Sequence, residues 1–205
     1  TPEPAAPADS LSLQTAADAV RQAWKAHLSL AGVQAQLGPA LTEAVAQGRW
    51  MMVDPSMHRR VHGLGELLAV AREARQAWIR AVAARQGVGF HRESLIAAET
   101  AHELGRRMVQ VGNWSRLQGA PASLALSEAR MALQRAEYAQ ALAERELIRV
   151  LRLTGRHDRV ALPDSLPALP DALIGADAVD AHLQRLRAQL QRAEAMRAAP
   201  HTRMA

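Results

Sequence analysis

Methionine and histidine make up the one cluster of side chains here with donors suited to a metal. Met51 and Met52 are followed by Met57, His58 and His62. Thioether and imidazole groups are the donors that hold copper or silver, and a helical stretch would set His58 and His62 four residues apart on one face. Methionine is also ordinary core filler, and no carboxylate pattern completes the set. The chain has no cysteine, so thiolate sites and disulfides are excluded. Other constellations fail on spacing. Gly63-Leu64-Gly65 and Gly87-Val88-Gly89 lack the preceding strand and the following glycine of a phosphate loop. His102-Glu103 has no second histidine four residues after the first, which a zinc protease helix requires. No serine sits in a nucleophile elbow, and Glu43 and Asp54 share no helical face. This pattern points away from an enzyme.

Trp114 stands out for its position. It lies between Asn113 and Ser115, in a loop that joins two long helical stretches. Two roles fit such a residue. It can fold back on Met108 or Leu117 as a local staple, or it can remain exposed as a contact for a partner, a role in which tryptophan is over-represented.

Composition limits what surrounds these residues. Of the 205 residues 49% are apolar but only 3% are aromatic, with a single Phe and a single Tyr. Alanine, the best helix former, dominates the periodic stretches, and β-formers never alternate over a useful length. The net charge of +5 comes from arginine, since Lys25 is the only lysine. The arginines are interleaved with acids, as in Arg72-Glu73-Arg75 and Glu144-Arg145-Glu146, and read as solvated helix faces. A basic stripe with stacking aromatics, the mark of a nucleic-acid binder, is missing. The longest uncharged run, Leu28 to Thr42, contains Gln34, Gln36, Gly38 and Pro39 and does not read as a spanning helix.

Along the chain, residues 1–9 form a Pro-rich extended tether. Its start, Thr-Pro-Glu-Pro-Ala-Ala-Pro, reads as a processed N-terminus from which an export signal has been removed. Residues 10–62 hold N-terminal helices and a connection. The first helix is expected from a cap at Asp9 or Ser10 to about Gln36, with Leu13, Ala16, Ala17, Val20, Trp24, Leu28 and Ala31 on one face. Gly38-Pro39 ends it, a short helical piece reaches Gln47, and Gly48 to Gly63 is irregular with a turn at Asp54-Pro55. Residues 63–155 form a long helical hairpin with its tip at 112–119. Its first arm runs from Leu64 to about Val111, with Leu67, Ala71, Ala74, Trp78, Ala81, Val82, Leu95, Ala98, Ala101, Leu104 and Met108 in the apolar pattern. Gly87 and Gly89 weaken this arm midway. Some 48 residues at 1.5 Å each make a rod of about 70 Å.

The second arm is expected from about Pro121, a favoured first-turn residue, to Leu153. Its seam is Ala129, Ala132, Ala136, Ala139, Ala143, Leu147 and Val150, a coiled-coil pattern with small side chains. A Pro-rich linker spans 156–174, a last helix 175–198, and a tail 199–205. The fold class is all-α: a long antiparallel coiled-coil-like hairpin with flanking helices and no substantial β-sheet.

The hairpin residues carry a resemblance. Gly105-Arg106-Arg107-Met108-Val109-Gln110-Val111-Gly112-Asn113-Trp114-Ser115 is followed by Glu128-Ala129-Arg130 and an Ala-rich run to Leu147-Ile148-Arg149-Val150-Leu151-Arg152-Leu153-Thr154-Gly155. Leu162-Pro163-Asp164-Ser165-Leu166-Pro167 comes next. Across about residues 64–172 this resembles a TolC-type outer-membrane efflux protein, here as a shortened, single-hairpin relative. The resemblance implies a periplasmic helical protein associated with an efflux system. It implies docking of the tip, Val111, Gly112, Asn113, Trp114 and Ser115, onto the hairpin of a periplasmic adaptor. Other copies of the chain are a second class of partner. Membrane association would come only through a removed N-terminal lipid anchor or a missing region. Two other functions fit the residues alone: a periplasmic copper- or silver-binding protein using Met51, Met52, Met57, His58 and His62, and a coiled-coil scaffold without a transport role.

Overall fold

In the computed structural model, residues 10–169 and 175–198 are described. The expected tether, the end of the linker and the tail lie outside the described residues. The first element is a strand, not a helix. Ser10–Ser12 (β1) pairs in parallel with Arg159–Ala161 (β2), with Leu11 level with Val160. Helix α1 (Ala16–Ala26) starts at Thr15. The Thr15 hydroxyl accepts from the Asp18 N–H at 3.1 Å, and the Asp18 carboxylate accepts from the Thr15 N–H at 3.0 Å. This reciprocal capping box satisfies two donors that would otherwise be orphaned, and it fixes the start at Thr15 rather than at Asp9 or Ser10.

The helix expected to reach Gln36 in one piece is broken at His27–Ser29, and α2 (Leu30–Leu37) follows. The break shifts the helical phase. Leu28 is 87% exposed and Ala31 is exposed, while Leu30, Val33 and Leu37 face the core instead. Gly38, at φ 86°, then turns the chain, and Pro39 opens α3 (Pro39–Ala46). The connection expected to be irregular holds one 3-10 turn, Trp50–Met52, and one short helix, α4 (Met57–Arg60).

These elements pack on the root of α5 (Leu64–Gln110). Leu64, Leu67, Ala74, Trp78, Ala81 and Val82 are buried there. Two indoles tie the layers together. Trp24 Nε1 donates to the Leu67 carbonyl at 3.1 Å, and Trp78 Nε1 donates to the Leu13 carbonyl at 2.8 Å. A buried indole N–H needs such a partner, or its lost hydration goes uncompensated. Arg75 reaches from α5 to the Ala46 carbonyl at the end of α3. The segment after β2 is pinned to α5 as well. Arg85 Nε donates to Asp164 at 2.9 Å, and the Leu166 N–H donates to Gln86 at 3.2 Å. Helix α7 (Ala176–Ala198) meets this body where His182 stands edge-on to Trp50, with ring centroids 5.4 Å apart.

Helix α5 runs its 47 residues without interruption through Gly87 and Gly89. It packs against α6 (Arg116–Val150), which starts before Pro121 and ends before Leu153. Pro121 lies inside α6, where its missing N–H removes a single intrahelical bond near the N-terminus. Beyond the root, α5 turns Ala84, Val88, His91, Leu95, Ala98, His102, Gly105 and Val109 inward. Helix α6 answers with Ala122, Leu126, Ala129, Leu133, Ala136, Gln140, Ala143 and Leu147. Each set steps by three and four residues, the heptad spacing of a coiled coil. The seam departs from the expected line at one place: Ala139 is exposed and Gln140 takes its position, while Leu133 is half-buried beside the expected Ala132. Ala101 and Leu104 of α5 are likewise exposed.

Ala136→Leu should overpack this seam and destabilise the protein by about 1–3 kcal/mol. Ala139→Leu should change stability by no more than about 0.5 kcal/mol, as exposed sites do. Urea unfolding of the two variants checks both values, and an equal effect would misplace the seam.

Candidate functional site

The hairpin tip is closed from both sides by backbone hydrogen bonds. At the end of α5, Gly112 takes φ 78° and the N–H groups of Asn113 and Trp114 both reach the Met108 carbonyl, at 3.0 and 3.1 Å. A left-handed residue is what this helix end requires, and glycine adopts it without a Cβ clash. At the start of α6, Ser115 Oγ accepts from the Gln118 N–H at 3.2 Å, and the Gln118 side chain accepts from the Ser115 N–H at 2.8 Å. The turn from Val111 to Ser115 is thus short and has both flanking helix ends satisfied.

Below the turn the helices approach closely because two positions lack side chains. A Cβ on Gly105 would lie 3.5 Å from the Trp114 ring and 3.6 Å from the Ala122 Cβ, and one on Gly119 would lie 3.0 Å from Val109 Cγ2. Trp114 lays its ring over Gly105 and is 37% exposed. The ring thus acts as a staple against Gly105. One turn further down, Ser123 Oγ lies 3.3 Å from His102 Nδ1. On the outer surface Glu103 receives Arg106 through two hydrogen bonds, at 2.8 and 2.9 Å, and Arg107 through one at 2.8 Å. These hydrogen bonds hold the Glu103 carboxyl down at about 2. A depressed carboxylate stabilises the fold fully above its unfolded value. That contribution fades as pH falls from the ordinary carboxylate range toward about 2.

The five tip residues named by the sequence divide into two kinds. Gly112, Trp114 and Ser115 shape the turn. Val111 is 69% exposed, and Asn113 is exposed beside it. A sixth residue belongs with them: Leu117, 83% exposed in the first turn of α6. The Ser115-x-x-Gln118 spacing was the signal for it, because a capping box starts the helix early enough to turn Leu117 outward.

The Met and His residues are spread over several elements. Met51 is half-buried, Met52 is exposed, and Met57 packs against the core. His58 lines an open groove of about 670 Å³ with Trp50, Arg72 and Arg75. His62 is exposed and lies past the end of α4, where Val61 is already extended. The two histidines therefore do not share one helical turn, because α4 stops at Arg60. Among the described residues no helix is long and apolar enough to cross a membrane.

Comparison with protein-family models, curated proteins and solved structures finds no match to this chain. The likeness to TolC-type proteins thus rests on the motifs of the sequence.

Trp114→Ala should lower unfolding stability by about 1–2 kcal/mol, less than the roughly 3–5 kcal/mol of a fully buried tryptophan. Denaturant unfolding measures it. An unchanged value would show that the ring contributes nothing to the turn.

Proposed function

We propose that the chain is a periplasmic docking protein of an efflux system, a single-hairpin relative of the TolC-type proteins, and that it carries no catalytic site. The tip would meet the helical hairpin of an adaptor protein. The observation that supports this best is the pair Val111 and Leu117, two apolar side chains left in water on a turn satisfied from both sides. Exposed apolar groups on a rigid support lose little entropy when a partner covers them, which favours binding over local collapse. Gly112, Trp114 and Ser115 would hold the geometry, and Val111, Asn113 and Leu117 would make the contact. The resemblance at residues 105–115 supplies the class of partner. No observation favours copper or silver binding over this reading, since His62 lies past the end of the helix that carries His58.

Val111→Asp and Leu117→Asp test it. Each should leave the melting temperature nearly unchanged and weaken binding to an adaptor hairpin by about 2 kcal/mol or more, as loss of a hot-spot residue does. Isothermal titration measures the binding. Unchanged affinity in both variants would remove the docking role and leave a coiled-coil scaffold.

A further inference from the structure

The run Arg72-Glu73-Arg75, which reads in sequence as a solvated face, divides in the fold. Arg72 is exposed, Arg75 is half-buried, and both line the open groove of about 670 Å³ at the root of the hairpin. Leu68, Ile79 and Trp50 supply apolar wall, and no residue of the lining is acidic. The nearby carboxylates are engaged elsewhere. Glu43 pairs with Arg21 at 3.7 Å and accepts from the Gln47 side chain at 2.9 Å. Glu73 acts on Arg149 of α6. Among the described residues neither Arg72 nor Arg75 forms an ion pair.

The seat of Arg75 is built for its head group. A Cβ on Gly48, which takes φ 81°, would lie 2.9 Å from Arg75 Cζ. Glycine at this position lets the guanidinium lie against the chain. One donor goes to the Ala46 carbonyl and holds the group there. Its other N–H groups have no hydrogen-bond acceptor among the described residues. Burial pulls the Arg75 pKa below its ordinary value, and no carboxylate offsets that pull. A guanidinium keeps its proton in a protein. The cost of taking this charge partly out of water is therefore left uncompensated, and an anion would relieve it.

We infer that the groove binds a small organic anion with an apolar body, a carboxylate on a medium-length alkyl chain. Arg72 and Arg75 stand one helical turn apart on α5, close enough to share one carboxylate. The planar guanidinium fork matches the two oxygens of such a group. The alkyl chain would lie on Leu68, Ile79 and Trp50, of which Trp50 is 52% and Ile79 41% exposed. Size favours this occupant, since pockets for small ligands span roughly 300–1,000 Å³. An acidic peptide carries charges along its length, whereas the arginines here are gathered on one turn of one wall.

Calorimetric titration of the full chain with decanoate, kept below its micelle concentration, tests the inference. Decanol and acetate serve as the uncharged and the chainless comparisons. Decanoate should bind one per chain, about tenfold or more tightly than either of them. Arg72→Gln should weaken decanoate binding about tenfold, as loss of a charge-assisted hydrogen bond does. Arg75→Gln should weaken it further. Should loss of the Ala46 contact unfold that variant, Arg72→Gln decides alone, because Arg72 is exposed and makes no internal bond. Ala69→Trp, at an exposed position of the lining, should fill the groove and abolish binding while the melting temperature stays nearly unchanged. The groove lies at the opposite end of α5 from the tip and no adaptor is present, so the outcome is independent of the docking reading. Decanol binding as tightly as decanoate would overturn the inference and leave a merely apolar surface. So would unchanged affinity in Arg72→Gln, or the absence of saturable binding.

Discussion

The close approach of α5 and α6 is the constraint on which the rest of this structure depends. Alanine at alternate seam positions of α6, with Ala84, Ala98 and Gly105 on α5, lets the backbones come together, and larger residues such as Leu95, Leu126 and Leu133 fill the layers between. Such a seam buries little area per residue, so its stability comes from length. That is why α5 needs 47 residues and α6 needs 35. The same seam fixes which residues are level across the hairpin. It thereby determines where Trp114 falls on Gly105 and which side of each arm faces outward.

At the other end, the root holds the hairpin in a body that buries larger side chains. Trp24 and Trp78 fill the space between α1, β1 and α5; Trp24 gives its N–H to a carbonyl of α5, and Trp78 gives its own to the Leu13 carbonyl just after β1. These bonds set the angle at which the N-terminal block meets α5. Between root and tip the shaft is polar in places: His91, His102 and Gln140 occupy seam positions. Polar residues in a coiled-coil seam cost stability and specify register.

The long arms were legible in the sequence because a heptad repeated many times is a strong signal. The residues buried at the root, from Leu67 to Val82, follow the expected pattern. What escaped has short or non-local causes. Strand β1 is three residues long, and its partner lies at Arg159–Ala161, so no periodic signal could announce it. The break after α1 moved Leu28 and Ala31 to the surface because the apolar pattern there suits one long helix as well as two short ones. On α5, Ala101 and Leu104 fit the three-and-four spacing of the inner face as well as Ala98 and His102 do, and only burial separates them. At the tip, the site was legible as a region but not in its roles. Pro121 drew the start of α6 too far along, which hid Leu117, whereas the capping box at Ser115 marked the true start.

A cysteine pair tests the register of the inner seam directly, in a chain that has no cysteine of its own. Gly105 and Ala122 stand with Cβ positions 3.6 Å apart, inside the range of about 3.5–4.5 Å that a disulfide spans. One heptad further down, the same register brings Ala98 and Ala129 together. The chain carrying Ala98→Cys and Ala129→Cys should therefore close an intramolecular disulfide under mild oxidation, seen as loss of both free thiols at the mass of one chain. Thiols that stay free in the folded protein, or a bridge that forms only when the second cysteine is moved to Ala132, would contradict the register and everything built on it.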